Sequence, residues 1–190
     1  MPDPTFKIDG ATVLSKSGTD VLWGAGAPTG TIINVTSTSI TRASSQFTST
    51  SFTDIADDQS NALSVSVTPK TNSKILLMAT LMTSGTNYNI YLRFMRDSTA
   101  IGINTNPGNR PAATMSTYGS EGATYETMST SMQFLDTTPG GNGSTSIVYK
   151  IQLRVQTSGA AYINRSERNT DEAHRDGTGI STITAMEIAG

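Results

Sequence analysis

The sequence lacks cysteine entirely among its 190 residues. Disulfide bonds and thiolate metal sites are therefore excluded, and the absence favours assembly in a reducing cytoplasm. Charge is also scarce: charged residues make up 15% of the chain and the net charge is -2. Nucleic-acid binders concentrate Lys and Arg on one face, whereas here the basic residues are scattered, so we expect no nucleic-acid partner.

Long hydrophobic runs are missing as well. No segment approaches the roughly 20 apolar residues of a transmembrane helix. The acidic, proline-containing start of the chain, residues 1–4, is unlike the basic and then apolar start of a signal peptide. We therefore expect a soluble protein with no membrane partner.

What the chain has in abundance is Ser, Thr and Asn in alternation with apolar residues. Thr suits the solvent-facing positions of strands because its branched Cβ fits the pleat. Residues 146–156 alternate without a fault, residues 63–67 alternate and stop at Pro69, and residues 181–188 form a last predicted strand. Roughly eight to ten short strands at this spacing predict an all-β fold, a β-sandwich or jelly roll.

One segment departs from simple alternation. Residues 74–83 are apolar at both odd and even positions, which predicts a central strand buried on both sides. Methionines are frequent at the predicted strand positions, and we interpret them as core-filling residues and not as a binding stripe: Met78, Met82, Met128, Met132 and Met186.

The chain divides into two regions by composition. Residues 1–30 are thin in apolar residues and rich in turn formers, and residues 31–190 carry the alternating strands. This predicts an extended N-terminal anchoring arm, residues 1–30, before a β-sandwich knob domain, residues 31–190. The apolar residues of the arm either pack on their own domain or dock on another subunit, and the candidates for docking are Phe6, Ile8, Leu14, Leu22 and Trp23.

Residues for catalysis are few. Without cysteine a nucleophile would be Ser or Thr, whose usual base is histidine, and the one histidine, His174, lies in the charged stretch 171–176. No glycine-rich loop ends in the Lys-Ser/Thr pair of a phosphate-binding loop. We therefore predict a protein that is not an enzyme and that has no catalytic residue and no cofactor.

A calcium site is the one metal site the sequence suggests. Asp54, Asp57 and Asp58 lie close together in a predicted loop, and calcium prefers clustered carboxylate oxygens. Their spacing matches no EF-hand, so we favour a solvated acidic turn and predict no metal.

The charged segment 165–176 has two interpretations. It is either a loop kept in water by its charge or a docking surface in which Arg165, Arg168 and Arg175 pair with carboxylates of a neighbouring subunit. Loops 104–112 and 139–144 are further candidates for surface contact. Tyrosines are candidate stacking platforms for a ligand, although core or interface positions are the commoner use: Tyr88, Tyr91, Tyr118, Tyr125 and Tyr162.

Several blocks of the sequence resemble a known group of proteins. Residues 31–35, 63–69, 73–78, 94–102 and 181–188 resemble a recurrent block in tail-fibre and capsid-surface proteins of tailed bacteriophages, especially marine and cyanobacterial phages. The opening residues 6–14 are similar to the leader of short phage fibre proteins. The resemblance implies a jelly-roll knob, often a homotrimer and similar in shape to tumour-necrosis-factor domains, attached to the virion surface through an N-terminal segment. It transfers no functional residue.

Three functions compete. The shortness of the chain favours a capsid decoration (cement) protein, assembled in the host cytoplasm, whose partners are the major capsid protein or other virion proteins. The alternative is a tail-fibre or head-fibre tip that binds a glycan or protein of the host surface. A polysaccharide-cleaving enzyme is disfavoured, because no convergent acid pair stands out.

Overall fold

The computed structural model describes residues 5–8, 10–17, 20–23, 27–85, 88–119, 124–157 and 159–190. These residues form fourteen β-strands and no helix. The all-β prediction is confirmed. None of the described residues belongs to a helix with the length and apolarity needed to cross a membrane.

The strands are numbered from the N-terminus. They are β1 (Thr5–Ile8), β2 (Ala11–Ser17), β3 (Asp20–Trp23), β4 (Ile32–Ile40), β5 (Thr53–Asp54), β6 (Ser64–Val67), β7 (Lys74–Ser84), β8 (Asn89–Arg96), β9 (Thr99–Ile101), β10 (Met115–Tyr118), β11 (Met128–Asp136), β12 (Ile147–Val155), β13 (Tyr162–Ile163) and β14 (Ser181–Ile188). The alternation in the sequence predicted β6, β12 and β14 to within about one residue of these bounds.

Two antiparallel sheets make up the sandwich. The first sheet has the order β11-β7-β14-β4, with β13 added beside β7. The second sheet has the order β10-β8-β12-β5, with β6 also paired to β12 and β9 to β8. Eight of these strands, β4, β6, β7, β8, β10, β11, β12 and β14, can be renumbered 1 to 8 in chain order. The first sheet then has the order 1-8-3-6 and the second sheet the order 2-7-4-5. Eight strands divided in this way between two sheets form a jelly roll, so the predicted architecture is confirmed.

The core lies between the inner faces of the two sheets. Every second residue of β12, from Ile147 to Val155, is buried, and the same holds for β7 from Ile75 to Leu81. Strict alternation puts these side chains on one face, where burial of their apolar surface stabilises the fold by about 25 cal/mol for each Å² removed from water. Phe94 and Tyr149 are the largest fully buried side chains of the described residues.

One buried polar cluster connects the two sheets. Asp136 at the end of β11 accepts hydrogen bonds from Arg96 of β8 at 2.9 and 3.0 Å and from the hydroxyl of Tyr149 of β12 at 2.8 Å. Burial, together with this hydrogen bond to Asp136, raises the pKa of Tyr149 well above its usual value, so the phenol stays neutral. A buried charge is tolerated here because each oxygen of the carboxylate has donors.

A second buried cluster fixes the segment that follows β13. Asn164 is 1% exposed and has a φ of 63°, a left-handed conformation that asparagine tolerates better than most residues. Its side-chain amide donates to the carbonyl oxygens of Ile40 and Arg42 at 2.8 and 3.0 Å, and its oxygen accepts from Ser181 at 2.7 Å. The start of segment 165–176 is therefore joined to both β4 and β14.

The N-terminal region differs from its prediction in shape. In place of an extended arm, its described residues form a separate three-stranded antiparallel sheet in the order β1-β2-β3. The pair Asp9-Gly10, between Ile8 and Ala11, is a sequence signal for a two-residue hairpin, and Ile8 pairs with Ala11 across it. The strands are only four to seven residues long, and short strands give little alternation to read. The domain boundary at residue 30 stays a prediction.

Candidate binding surfaces

The outer face of the first sheet carries a row of apolar side chains. The register of β4, β14, β7 and β11 places Val35, Met186, Leu76 and Leu135 side by side across all four strands. Val35 is 53% exposed and Leu135 is 40% exposed, with the two between them half-buried. We call this surface the apolar face, and its outward apolar residues are Ile32, Val35, Leu76, Met78, Leu135, Met186 and Ile188.

The remaining outward positions of the apolar face are mostly hydroxyl residues that bond to each other. Ser37 pairs with Thr184 at 2.9 Å, and Ser39 pairs with Thr182 at 2.9 Å. Each pair satisfies one donor within the sheet. Covering these hydroxyls with another protein therefore costs less free energy than covering hydroxyls that bond to water alone.

Charge is nearly absent from the apolar face. Among the outward positions of β4, β7, β11 and β14, the one charged side chain is Lys74, at the end of its strand. Depletion of charge is a property of the cores of protein–protein interfaces. The prediction that residues 74–83 are buried on both sides is not met within one chain, since their outward residues are half-buried or exposed.

The methionines divide between core and surface. Met132 is 6% exposed and packs in the core as predicted. Met78 and Met186 instead lie on the apolar face and are half-buried. Met82 is also half-buried, and its sulfur lies so close to Gly179 that a Cβ at that glycine would clash with it. Sequence alone could not separate these positions, because alternation does not reveal which face is the inner one.

The edge of the sandwich beside the apolar face holds a cavity of about 590 Å³. It lies at β11, the edge strand of the first sheet, next to β10, the edge strand of the second. Met78, Met115 and Met132 line it together with alanine, serine, threonine and glutamine residues. An edge strand leaves backbone N–H and C=O groups without strand partners and is a natural place for another chain to bind.

The outer face of the second sheet has the opposite composition. On β8 and β12 the outward residues include Tyr91, Arg93, Lys150, Gln152 and Arg154, all half-buried. We call these residues, with Phe52 and Asp54 beside them, the arginine face. Register places Tyr91 opposite Arg154 and Arg93 opposite Gln152.

Aromatic rings and one amide hold the two arginines of this face in place. The guanidinium of Arg93 lies 4.0 Å from the ring centre of Phe52, and that of Arg154 lies 5.5 Å from the ring centre of Tyr91. Arg93 also donates from Nε and Nη2 to Oε1 of Gln152 at 3.0 and 2.7 Å. Burial lowers the pKa of Arg93, but arginine remains protonated in proteins.

These arginines have no carboxylate partner within the described part of the chain. The acidic residue nearest in register, Asp54, is paired with Lys150 at 2.7 Å and accepts from Gln152 at 2.7 Å. The Nε atom of Arg154 is buried and, among the described residues, has no hydrogen-bond acceptor. A positive site of this kind is open to an anion from outside the chain.

A groove of about 370 Å³ runs along Tyr91 at the border of the arginine face. Its other wall is the loop after β9, which contributes Asn104, Arg110 and two prolines, Pro107 and Pro111. Arg110 donates to the carbonyl oxygen of Pro107 at 2.9 Å, which fixes the base of its side chain. The predicted loop 104–112 contains no strand, and it lines this groove. Its contact with a ligand stays a prediction.

The predicted anchoring residues lie in the N-terminal sheet. The register aligns Phe6 with Leu14 and Leu14 with Trp23. Phe6 and Ile8 are 57% and 55% exposed, and Leu14 is half-buried. The side chains of Leu22 and Trp23 lie outside the described part of the structure. Contact with a partner through these residues stays a prediction.

The three aspartates of the predicted loop turn to three different partners. Asp54 pairs with Lys150, and Asp58 pairs with Arg42 at 2.7 Å. Asp57 accepts from the backbone of Gln59 and Asn61 and from the side chain of Asn61. The hydrogen bond from Asn61 lowers the pKa of Asp57, and that from Arg42 lowers the pKa of Asp58. Within the described ranges no three acidic, histidine or cysteine residues converge as a metal site would require.

The arginines of segment 165–176 contact their own chain. Arg165 donates to the carbonyl oxygens of Ser44, Ser166 and Glu167 and lies 4.1 Å from the ring centre of Tyr162. Arg168 forms ion pairs with two carboxylates of the same segment, Glu172 and Asp176. The guanidinium of Arg175 lies 5.6 Å from the ring centre of Tyr125. The pairing of these arginines with a neighbouring subunit stays a prediction.

The remaining candidates are dispersed. His174 is exposed in a turn of that segment. Among the tyrosines, Tyr162 is buried, Tyr118 and Tyr125 are exposed, and Tyr91 lies on the arginine face. Sequence reasoning named Tyr91 but missed Arg93 and Arg154. Their alternation with the buried Leu92 and Leu153 was a signal that each arginine lies opposite a core side chain, but the pairing of β8 with β12 is what brings the two together.

Comparison with known proteins adds no relative. No protein-family model matches the chain, and no curated protein matches it in sequence. The two outer faces of the sandwich are therefore the features from which a function can be inferred.

Proposed function

We propose that this protein is a homotrimeric structural protein of a virion surface, a capsid decoration protein that displays a jelly-roll knob and performs no catalysis. The observation that carries the proposal is the apolar face, a four-strand surface with paired hydroxyls, a row of aliphatic and methionine side chains and one terminal charge. A surface of this composition is stabilised when another protein covers it.

A second copy of the chain is the proposed occupant of the apolar face. The same chain offers the edge at β11 and β10, whose methionine side chains complement an uncharged face. A contact between the face of one protomer and the edge of the next is heterologous, and such contacts close into a trimeric ring when each protomer is rotated by a third of a turn from the last. The number three follows from the resemblance to trimeric phage knobs.

The N-terminal sheet is the proposed attachment to the major capsid protein or to other virion proteins. Phe6 and Ile8 are more than half exposed, which leaves apolar surface for a partner. A trimer presents three such sheets. Three weak contacts then act with a high effective concentration, so that modest burial at each suffices.

The oligomeric state of the full chain tests the first step. We expect light scattering after size exclusion to give a trimer for the unmodified protein and a monomer for Met186→Lys, since a charge would be buried in the interface. Val148→Lys is the matched control, because it introduces the same side chain at a half-buried outward position of the second sheet, and it should leave the trimer intact. A monomeric unmodified protein, or a trimeric Met186→Lys variant, would overturn the proposal.

The location of the protein tests the second step. Antibody labelling of virions, followed by electron microscopy, should place the chain at regular positions on the head. The double variant Phe6→Ser, Ile8→Ser should remain trimeric but sediment with the particles at a strongly reduced level. Label at the tail tip would favour the second candidate function below, and absence from the particle would contradict both.

Attachment to the host surface is the second candidate function. One observation favours it: the arginine face combines fixed guanidinium groups and aromatic rings with an adjoining groove. Such a surface is suited to a ligand and not to the dry contact expected between subunits.

A further inference from the structure

The arginine face contains a positive site whose charge the described residues do not neutralise. Arg93, Arg110 and Arg154 form no ion pair with a described carboxylate, whereas Asp54 is already paired with Lys150. The whole chain carries a net charge of -2. Positive charge at this place is therefore a local feature, which the average composition hides.

The site is preorganised. Arg93 is fixed by Phe52 and by two hydrogen bonds to Gln152, and Arg154 is fixed between the rings of Phe52 and Tyr91, at 6.0 and 5.5 Å. Side chains that are already ordered lose little conformational entropy when a ligand binds. A guanidinium group binds a carboxylate through two parallel hydrogen bonds, and Arg110 donates to the described chain through its Nε, which leaves its two Nη atoms for a ligand.

The groove beside these arginines has the dimensions of a small-ligand site. Its volume of about 370 Å³ lies within the range of roughly 300–1,000 Å³ for ligand pockets. One wall is the ring of Tyr91, and the opposite wall brings the amide of Asn104 and the guanidinium of Arg110. An aromatic ring presents a flat apolar surface, and an amide both donates and accepts hydrogen bonds.

We propose that this groove and the adjoining arginines bind an acidic polysaccharide, through sugar residues that carry carboxylate groups. The C–H face of a pyranose ring stacks on Tyr91, its hydroxyl groups bond to Asn104, and its carboxylate binds Arg154 and Arg110. The inference rests on the second candidate function and names its ligand class.

Nucleic acid fits the same site less well. A nucleic-acid backbone carries a negative charge at every nucleotide and is matched by cations spread along a track. Here one arginine, Arg110, lines the groove, and Arg93 and Arg154 lie on the adjoining strands. The flanking Lys150 is already bonded to Asp54. Single-stranded DNA is accordingly the competing ligand in the test.

Calorimetry with defined oligosaccharides tests the inference. The probes are hexamers of galacturonate, guluronate and glucuronate, each with its methyl ester as the neutral control, and a dT oligonucleotide. We expect at least one uronate hexamer to bind, its ester to bind at least tenfold more weakly, and the oligonucleotide to bind no better than the ester. Failure of all three hexamers at millimolar concentration would overturn the inference, as would tighter binding of the oligonucleotide.

Variants locate the site. Arg154→Met and Tyr91→Ala should each weaken uronate binding at least tenfold. Arg42→Met removes the same charge at an exposed position outside the arginine face and should leave the affinity within twofold. Equal losses in Arg42→Met and Arg154→Met would mean that net charge alone attracts the ligand, which contradicts a built site.

The test is separable from the trimer proposal. The groove shares Thr114 and Met115 with the edge cavity of the proposed interface, so the monomeric Met186→Lys variant, in which this edge is free, should bind the uronate at least as tightly per protomer as the unmodified protein. Loss of the trimer with retained binding, and loss of binding with a retained trimer, are therefore distinguishable results.

Discussion

The two outer faces of the sandwich share one backbone pattern and differ in almost every side chain. Both are built from strands whose inward residues are aliphatic or aromatic, as in β7 and β12. Outward, the first sheet presents Ser, Thr, Leu and Met, and the second presents Arg, Lys, Gln and Tyr. The inner alternation specifies the fold, and the outer alternation specifies what each face can bind.

The physical difference between the faces is the cost of removing water. Covering the apolar face costs little, because its hydroxyls are paired and its charge is confined to Lys74. Covering the arginine face costs several kcal/mol for each unpaired ion unless a counter-charge arrives with the partner. The first face is suited to permanent contact at any salt concentration, and the second to a charged ligand whose affinity falls as salt rises.

The largest predicted effect compares two neighbouring leucines of β7. In the monomeric Met186→Lys background, Leu77→Ala should lower the free energy of unfolding by about 2–5 kcal/mol, because it leaves a cavity in the core. Leu76→Ala, on the outer face, should lower it by about 1 kcal/mol or less. Urea unfolding measures both.

In the unmodified background the Leu76→Ala cost should increase with protein concentration, since association stabilises the folded state by mass action. Equal costs for the two leucines in the monomer would mean that the apolar face is already covered within the chain. That result would remove the main support for the trimer.

The next effect compares a carboxylate inside the sandwich with one on the arginine face. Asp136→Asn should destabilise the fold by about 2–3 kcal/mol, because it leaves Arg96 and Tyr149 without their shared anionic acceptor. Asp54→Asn should cost less than about 1 kcal/mol, since its side chain is 44% exposed and water replaces the ion pair. Thermal unfolding of the two variants side by side compares the two losses of stability. A larger loss in Asp54→Asn than in Asp136→Asn would contradict the prediction.

A smaller effect is the dependence of the stability of the fold on pH. Burial alone would raise the pKa of Asp54, but its hydrogen bonds from Lys150 and Gln152 prevail and lower it. Arg168 lowers the pKa of Asp176. A lowered folded-state pKa contributes stability that is complete above the unfolded value of about 3.9 and is lost as pH falls through the folded value.

The melting temperature should therefore be nearly constant from about pH 5 to 8 and fall below about pH 4. The trimer, whose proposed interface has no carboxylate among its outward strand positions, should not dissociate between pH 5 and 8. Circular dichroism melts and light scattering across this range measure the two quantities. Dissociation at pH 5 would show that titrating groups take part in the interface.

The smallest effect separates function from stability. Arg154→Met should change the free energy of unfolding by no more than about 0.5 kcal/mol, because the lost cation–π contact is offset by removal of a buried unpaired Nε. Arg165→Met should destabilise clearly, since that guanidinium donates to three backbone carbonyls. Similar losses in both would indicate that Arg154 is a structural residue.

Several elements were readable from the sequence for a simple physical reason. Residues 147–155 alternate between buried and half-buried positions as predicted, because a strand between a core and a solvent-facing side must alternate. Pro69 ends β6 as expected of a residue without an N–H. The N-terminal sheet was not predicted, since strands of four to seven residues show little alternation.

The candidate surfaces were much less predictable. Alternation shows that Leu76 and Leu77 lie on opposite faces but not which of them is inside. Met78 and Met186 were therefore predicted to lie in the core. The arginines of β8 and β12 were not recognised as neighbours, since they are about 60 residues apart in the chain. They are brought together by the pairing of Arg93 with Gln152 and of Tyr91 with Arg154.

By itself the sequence determined the secondary structure class and the approximate bounds of the most regular strands, because the period of two and the turn residues are local properties of the chain. Only the tertiary structure decided which of the two sides of each strand faces outward and which residues of distant strands share a face. The physical reason is that pairing register and sheet packing are set by contacts between residues far apart in sequence, and those contacts convert one alternating pattern into an apolar surface on one side and a positively charged surface on the other.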